Sequence, residues 1–370
     1  MNWLKANMFV TATNTLGFLA PLALGLCAAT ATTNAEAADP PLMLTPTFAP
    51  NEGPPTLIEE FLIPSADPGI DLYVRNKHLP GERTYTADKI LLFVHGATYP
   101  AETAFDLQLD GLSWMDYLAR RGYDVYLVDV RGYGRSTRPP EMDRPPGENA
   151  PIVRTPTAVK DVSTAVDFIL ERRGVEKLNL LGWSWGTTLM GWYTAQNNAK
   201  VNKLVLYAPQ WLRNAPPLTD SEGKLGAYRN VSMESAKARW LTGVPEDKKE
   251  TLIPPGWFEV WAAATQQSDP LGATWKPPVI RAPNGTVQDS REFWSSRQPL
   301  YDPADIRVPT FLAHAEWDAD LPSYMMHAYY ARLFNAPDKG FIEIPEGTHT
   351  VIMEKNRMQL FESVQAFLDK

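Results

Sequence analysis

The chain has 370 residues, 44% hydrophobic and 21% charged, with 35 basic against 43 acidic side chains, which is ample for a packed core and excludes disorder throughout. A net charge of -8 leaves no extended basic surface for phosphates, so a nucleic-acid partner is excluded and an anionic membrane is a poor one. Cys27 is the one cysteine, and neither a disulfide framework nor a thiolate zinc cluster can be built from it.

In chain order, residues 1–37 carry Lys5, an apolar run from Leu16 to Ala29 and then Ala35-Glu36-Ala37, the small-x-small pattern of a signal peptidase site. A signal peptide cleaved after Ala37 is expected. The apolar run of about 14 residues falls short of the roughly 20 that span a bilayer, which argues against a transmembrane anchor and against stable membrane insertion once the peptide is gone. A lipoprotein anchor on Cys27 is the other alternative, but Leu26 stands where its processing site wants a small residue. The mature chain would hold no cysteine and would be periplasmic or secreted, a composition that suits an oxidising compartment.

Proline, at 33 of 370 residues, is roughly twice its usual share of about 5%. Residues 38–56 (ADPPLMLTPTFAPNEGPPT) are too rich in it for a helix or an inner strand and are expected as an extended arm. From Leu57, strand-like runs alternate with helical patterns: 59–63 and 70–75 as an antiparallel edge, then Ile90 to Val94, a helix near Ser113 to Arg121, Val125 to Val130, a helix near Thr157 to Arg173, Leu178 to Leu181, a helix from about Trp185, and Val201 to Tyr207. The Pro-rich piece 139–151 reads as a surface loop. After an interruption the pattern resumes with Thr310 to Ala313, a helix near Ser323 to Phe334, Phe341 to Ile344 and a closing helix from about Thr350. This is the rhythm of a parallel sheet with crossover helices. The core is therefore expected over 57–209 and 306–370, with 210–305 inserted as a cap. Six of the 12 tryptophans lie in that insertion (Trp211, Trp240, Trp257, Trp261, Trp275, Trp294). They line a pocket at the carboxyl edge of the sheet or form the cap's own small core, and most are expected to be core.

Gly182-Trp183-Ser184-Trp185-Gly186 matches G-x-S-x-G, follows a strand and precedes a helix, the context in which that motif presents an exposed nucleophile. A serine hydroxyl needs a histidine base held by a carboxylate. Of the five histidines, His78, His95, His314 and His327 are expected to be structural, His95 as a brace for its loop. His349 lies in a loop between the last strand and the last helix and is the expected base. The acid should follow the strand Thr310 to Ala313: Asp318 is favoured, with Asp320 and Glu316 as alternatives. The expected oxyanion-hole donors are the N–H groups of Ala97 and Trp185. The turn Asp129-Val130-Arg131-Gly132-Tyr133-Gly134-Arg135-Ser136 lacks the third glycine of a dinucleotide fingerprint, so no cofactor site is read there.

Together these residues resemble the α/β-hydrolase superfamily from about residue 57 to 370. The histidine-glycine loop at His95-Gly96, the D-x-R-G-x-G-x-S turn at 129–136, the nucleophile elbow, the D-x-x-x-P loop at 318–322 and the late G-x-H occur in order. The resemblance implies an eight-stranded, mostly parallel sheet flanked by helices, a Ser-His-Asp triad and no cofactor. The elbow Ser184-Trp185-Gly186-Thr187-Thr188-Leu189 is similar to that of the prolyl iminopeptidases, although Ala97 and Thr98 depart from their H-G-G-P-G loop. The expected activity is hydrolysis of a small-molecule carboxylic ester through an acyl-enzyme. The alternatives are an amidase or prolyl aminopeptidase, carbon-carbon bond hydrolysis or perhydrolysis by the same triad, and a catalytically silent binding module.

Overall fold

A computed structural model describes residues 42–48, 53–82 and 84–370. The expected signal peptide, its cleavage point and Cys27 lie outside the described residues, as do residues 38–41 and 49–52 of the expected arm. Within the arm, Leu42–Phe48 is strand β1, and the described residues 53–56 form no regular element. β1 takes the outermost position of the sheet, and its register slips between Leu44 and Thr47, around Pro46. An edge position with a bulge is where a residue lacking an N–H can be carried.

β2 (Leu57–Pro64) and β3 (Asp71–His78) pair antiparallel. β4 (Ile90–Val94), β5 (Asp124–Val128), β6 (Leu178–Trp183) and β7 (Val201–Tyr207) follow. The insertion after β7 contains a separate antiparallel pair, β8 (Tyr228–Val231) and β9 (Ile280–Pro283). β10 (Thr310–Ala315) and β11 (Lys339–Ile344) return to the main sheet, whose order is β1-β2-β3-β5-β4-β6-β7-β10-β11. The eight expected strands are thus present, and β1 adds a ninth at the antiparallel edge. From β5 to β11 every pairing is parallel.

β4, β5 and β6 are buried along their whole length. Their continuous apolar runs, without alternation, are what a parallel sheet covered by helices on both faces requires. The helices have legible boundaries. Ser113 and Asp116 form a capping box at the start of Trp114–Ala119, and Gly174, at φ 64°, closes Thr155–Arg173. The closing helix starts later than expected, at Arg357, because Val351–Met353 is a short 3-10 turn. The Pro-rich segment 139–151 is more than a free loop: it forms two 3-10 turns, and Met142 is buried in a small cluster with Ala227 and Tyr228 of the insertion.

The chain passes from β4 outward to β5 and then back across β4 to β6. The loops that leave β4 and β6 therefore emerge side by side and diverge, which is the switch point where open α/β sheets leave a crevice. No described helix is long and apolar enough to cross a membrane.

Candidate active site

β6 ends at Trp183 and the helix Trp185–Gln196 begins two residues later, so Ser184 alone makes the turn. It does so at φ 58°, ψ -121°, a conformation that costs a non-glycine residue about 1–3 kcal/mol. Its N–H donates to the Tyr207 carbonyl on neighbouring β7 at 2.9 Å. The two glycines of the motif are dictated by close approach. A Cβ at Gly182 would lie 2.2 Å from the Gly186 oxygen, and one at Gly186 would lie 2.5 Å from the Val94 oxygen. Only hydrogen fits at either place.

His349 follows β11 in the loop 345–350, and Asp318 follows β10. Their parallel strands bring the two loops together: Glu316 N–H donates to the Ile344 oxygen at 3.0 Å and Trp317 N–H to the Gly347 oxygen at 2.8 Å. Asp318 Oδ2 accepts from His349 Nδ1 at 2.8 Å, and Asp318 Oδ1 accepts from the Leu321 N–H at 2.8 Å. This places the ring proton on Nδ1 and leaves Nε2 as a free acceptor. Burial opposes protonation of His349, but the adjacent Asp318 charge outweighs it and raises the imidazole above 6.5. Burial opposes ionisation of Asp318, and the partner imidazole more than compensates, so its carboxyl sits below the ordinary 3.8. The His349 carbonyl is gripped by Trp183 Nε1 at 3.1 Å and by the Tyr207 hydroxyl at 2.7 Å.

The other acids of that loop face elsewhere. Glu316 Oε2 accepts from the Glu346 N–H at 2.9 Å, and Asp320 receives Arg239 Nε on both oxygens, at 3.0 and 2.9 Å. Among the remaining histidines, His78 ends β3 and bonds Glu59, His327 stacks edge-on against Phe341, and His314 Nε2 holds the Leu321 carbonyl at 2.8 Å, bracing the Asp318 loop.

His95 is fully buried. Its Nε2 accepts the Val130 N–H at 3.1 Å and its Nδ1 donates to the Gly96 carbonyl at 2.7 Å. Burial lowers its pKa to about 4, so the ring is neutral and this tautomer is fixed. The consequence is directional: in a trans peptide the N–H points opposite the C=O, so pinning the Gly96 carbonyl also aims the Ala97 N–H. Gly96 packs directly on the turn, since a Cβ there would lie 2.9 Å from Ser184 Cβ. The Ala97 carbonyl is held separately by the Tyr133 hydroxyl at 3.0 Å and by Arg229 at 2.9 Å. Asp129 braces the same region, its buried carboxylate accepting the Ala101 and Arg135 N–H groups at 2.8 and 3.0 Å.

Ser184 and Ala97 border two adjoining clefts. The first is walled by Tyr99, Trp183, Trp240 and His349. The second is walled by Trp185, Gln210, Arg213, Thr219 and Ser290. Arg239 and Asp320 border both. Of the six tryptophans of the insertion only Trp240 lines these clefts; Trp211, Trp257, Trp261 and Trp294 are buried, which matches the expectation that most are core. Sequence reasoning missed Arg213, Arg229 and Arg239, which are isolated in the sequence and form no motif. No cluster of three or more His, Cys, Asp or Glu placed to hold a metal occurs among the described residues.

Comparison with known proteins agrees with this architecture. Residues 89–356 match the family described as alpha/beta hydrolase fold. Over 183 residues, 47% of this chain, it is 27% identical to a multifunctional-autoprocessing repeats-in-toxin of Vibrio vulnificus, of whose length it spans only 3%. Among solved structures, a 2-hydroxy-6-oxo-6-phenylhexa-2,4-dienoate hydrolase from Rhodococcus sp. is similar with a TM-score of 0.57 at 14% identity, covering 88% of this chain and 100% of that one. An esterase from Exiguobacterium antarcticum is similar with a TM-score of 0.51 at 18% identity, covering 84% and 99%. At these identities the likeness is one of fold. The family match, which spans well over half the sequence, shows that the chain belongs to the α/β-hydrolase fold family.

Proposed function

We propose that the protein is an exported serine hydrolase that cleaves a carboxylic ester through an acyl-enzyme. The observation that carries this reading is the 2.8 Å contact of Asp318 with His349 Nδ1, which leaves Nε2 as a base on the same cleft as the strained Ser184. In the first half-reaction Ser184 Oγ attacks the ester carbonyl carbon while its proton passes to His349 Nε2. The carbonyl oxygen becomes an oxyanion facing the Ala97 and Trp185 N–H groups. Collapse expels the alcohol, which takes the proton from His349, and leaves an acyl group on Ser184. Water then repeats the sequence, with His349 accepting and returning one proton, and the carboxylic acid departs. Export rests on the Lys5, apolar-run and Ala35-Glu36-Ala37 pattern.

An aminopeptidase acting on a free amino terminus needs carboxylates beside the serine. Acids of the insertion such as Glu222, Glu234, Glu259, Asp269 and Glu292 border neither cleft, and Asp320, which borders both, is already paired with Arg239. Ester hydrolysis is accordingly preferred. The test compares 4-nitrophenyl esters with proline arylamides, using the purified protein and its Ser184→Ala variant, together with labelling by a serine-directed phosphonate. Turnover of the esters and labelling, both lost in Ser184→Ala, are expected. Activity confined to the arylamide would overturn the ester reading, and absence of both labelling and turnover would leave a binding module.

A further inference from the structure

The second cleft at Ser184 contains a buried cation that no carboxylate touches directly. Arg213 is 5% exposed, and its guanidinium is held by three neutral carbonyls: Ala215 at 3.0 Å, Asp320 at 3.0 Å and Pro216 at 3.4 Å. Among the described residues no carboxylate lies within 4 Å of it. The nearby Asp320 side chain is engaged on both oxygens by Arg239. Burial depresses the Arg213 pKa in spite of the opposing charges of Asp320 and Asp318 nearby, the desolvation that a buried cation without a direct ion pair suffers. Ser290 is an independent pointer. It is 1% exposed, lines the same cleft, and its hydroxyl has no hydrogen-bond partner. A buried cation and a buried free hydroxyl, both bordering one cleft, are complementary to an anion with several acceptor oxygens.

The orientation of the substrate follows from the proton path. His349 must reach the departing alcohol oxygen, and His349 borders the first cleft but not the second. The alcohol therefore belongs among Tyr99, Trp183 and Trp240, and the acyl chain belongs in the cleft of Arg213 and Ser290. We propose that the acyl half carries a carboxylate, so that the substrates are hemiesters of dicarboxylic acids with an apolar or aromatic alcohol, recognised by Arg213 and Ser290. This rests on the ester hydrolase reading above and specifies its substrate class.

The experiment compares 4-nitrophenyl hemiglutarate with 4-nitrophenyl methyl glutarate, the same acyl chain without the charge, at low ionic strength and after subtraction of the uncatalysed rates. In the native protein the hemiester is expected to have a kcat/KM at least about tenfold higher, and the preference should shrink with added salt. Arg213→Gln should bring the ratio to about one or below, with Arg213→Lys keeping part of it. A second measurement needs no variant: glutarate should inhibit turnover of the methyl ester competitively, and pentanoate, of the same length with one carboxylate fewer, should do so more weakly. Turnover of the methyl ester with no preference for the hemiester, or a ratio unchanged in Arg213→Gln, would overturn the carboxylate proposal alone. Failure to turn over either ester, with no phosphonate labelling of Ser184, would instead overturn the hydrolase reading.

Discussion

Trp240, which lines the apolar cleft, donates its indole N–H to buried Glu354 at 2.7 Å. The same carboxylate accepts the Thr348 N–H at 3.0 Å and the Thr348 hydroxyl, one residue before His349. One buried acid thus ties the insertion to the loop that bears the proposed base, behind the cleft rather than within it.

That position has a pH signature. Burial raises the Glu354 pKa from 4.5 to about 7. Between those values the folded protein holds a proton that the unfolded chain has released, so Glu354 makes stability fall as pH rises from about 4.5 to about 7 and stay level above. At about 1.4 kcal/mol per pH unit, the contribution is on the order of 3 kcal/mol. Glu354→Gln should remove this component. Urea unfolding at a series of pH values between 4.5 and 8 should show a native-minus-variant difference that declines across the window, and a constant difference would refute the assignment.

The Asp318–His349 pair predicts a second profile. A neutral His349 is needed to accept the serine proton, so kcat/KM should rise with pH through an inflection above 6.5, where the Asp318 charge holds the imidazole. In Asp318→Asn the burial that opposes protonation is no longer outweighed. The inflection should move down in pH, and the plateau rate should drop by about 10³- to 10⁴-fold because the tautomer is no longer enforced. A plateau loss of less than tenfold would remove Asp318 from the proposed role.

The sheet and the serine were legible because their signals are local. Glycines two residues either side of Ser184 declare the turn, and unbroken apolar runs such as Ile90 to Val94 declare strands covered on both faces. The acid loop was only partly legible: Glu316, Asp318 and Asp320 are separated in the fold by partners far along the chain, the Glu346 N–H, His349 and Arg239. β1 was hidden in proline-rich sequence, because a bulged edge strand tolerates what an inner strand cannot. Arg213, Arg229 and Arg239 could not be found at all, since their meaning comes from where the insertion folds back over β4 and β6.

Strain at Ser184 is testable by separating its backbone from its hydroxyl. Alanine removes the hydroxyl but keeps a Cβ at φ 58°, whereas glycine takes that conformation freely. Both variants should lose ester turnover. Relief of about 1–3 kcal/mol of strain, less the roughly 0.5–1 kcal/mol that glycine costs through chain entropy, should leave Ser184→Gly more stable than Ser184→Ala by on the order of 1 kcal/mol. Equal urea midpoints for the two would mean that the turn stores no such energy.

His95 offers the sharpest separation of positioning from chemistry. Its ring bonds Val130 and Gly96 and packs on the Tyr133 ring, and its low pKa of about 4 means that it carries no charge in the neutral range. His95→Ala would leave the buried Val130 N–H and Gly96 carbonyl without partners, at about 1–3 kcal/mol for each unless water enters. It would also let the Gly96–Ala97 peptide rotate, so that the Ala97 N–H no longer meets the developing oxyanion. Loss of one such donor typically costs about 10²- to 10³-fold in kcat, while KM, which reflects the clefts beyond, should change little. His95→Gln, whose amide can reach one of the two partners, should recover part of the rate. The pH of half-maximal kcat/KM should not move in either variant, because His349 and Asp318 are untouched. A displaced inflection, or a rise in KM with kcat preserved, would show that His95 acts on the clefts and not on the Ala97 donor.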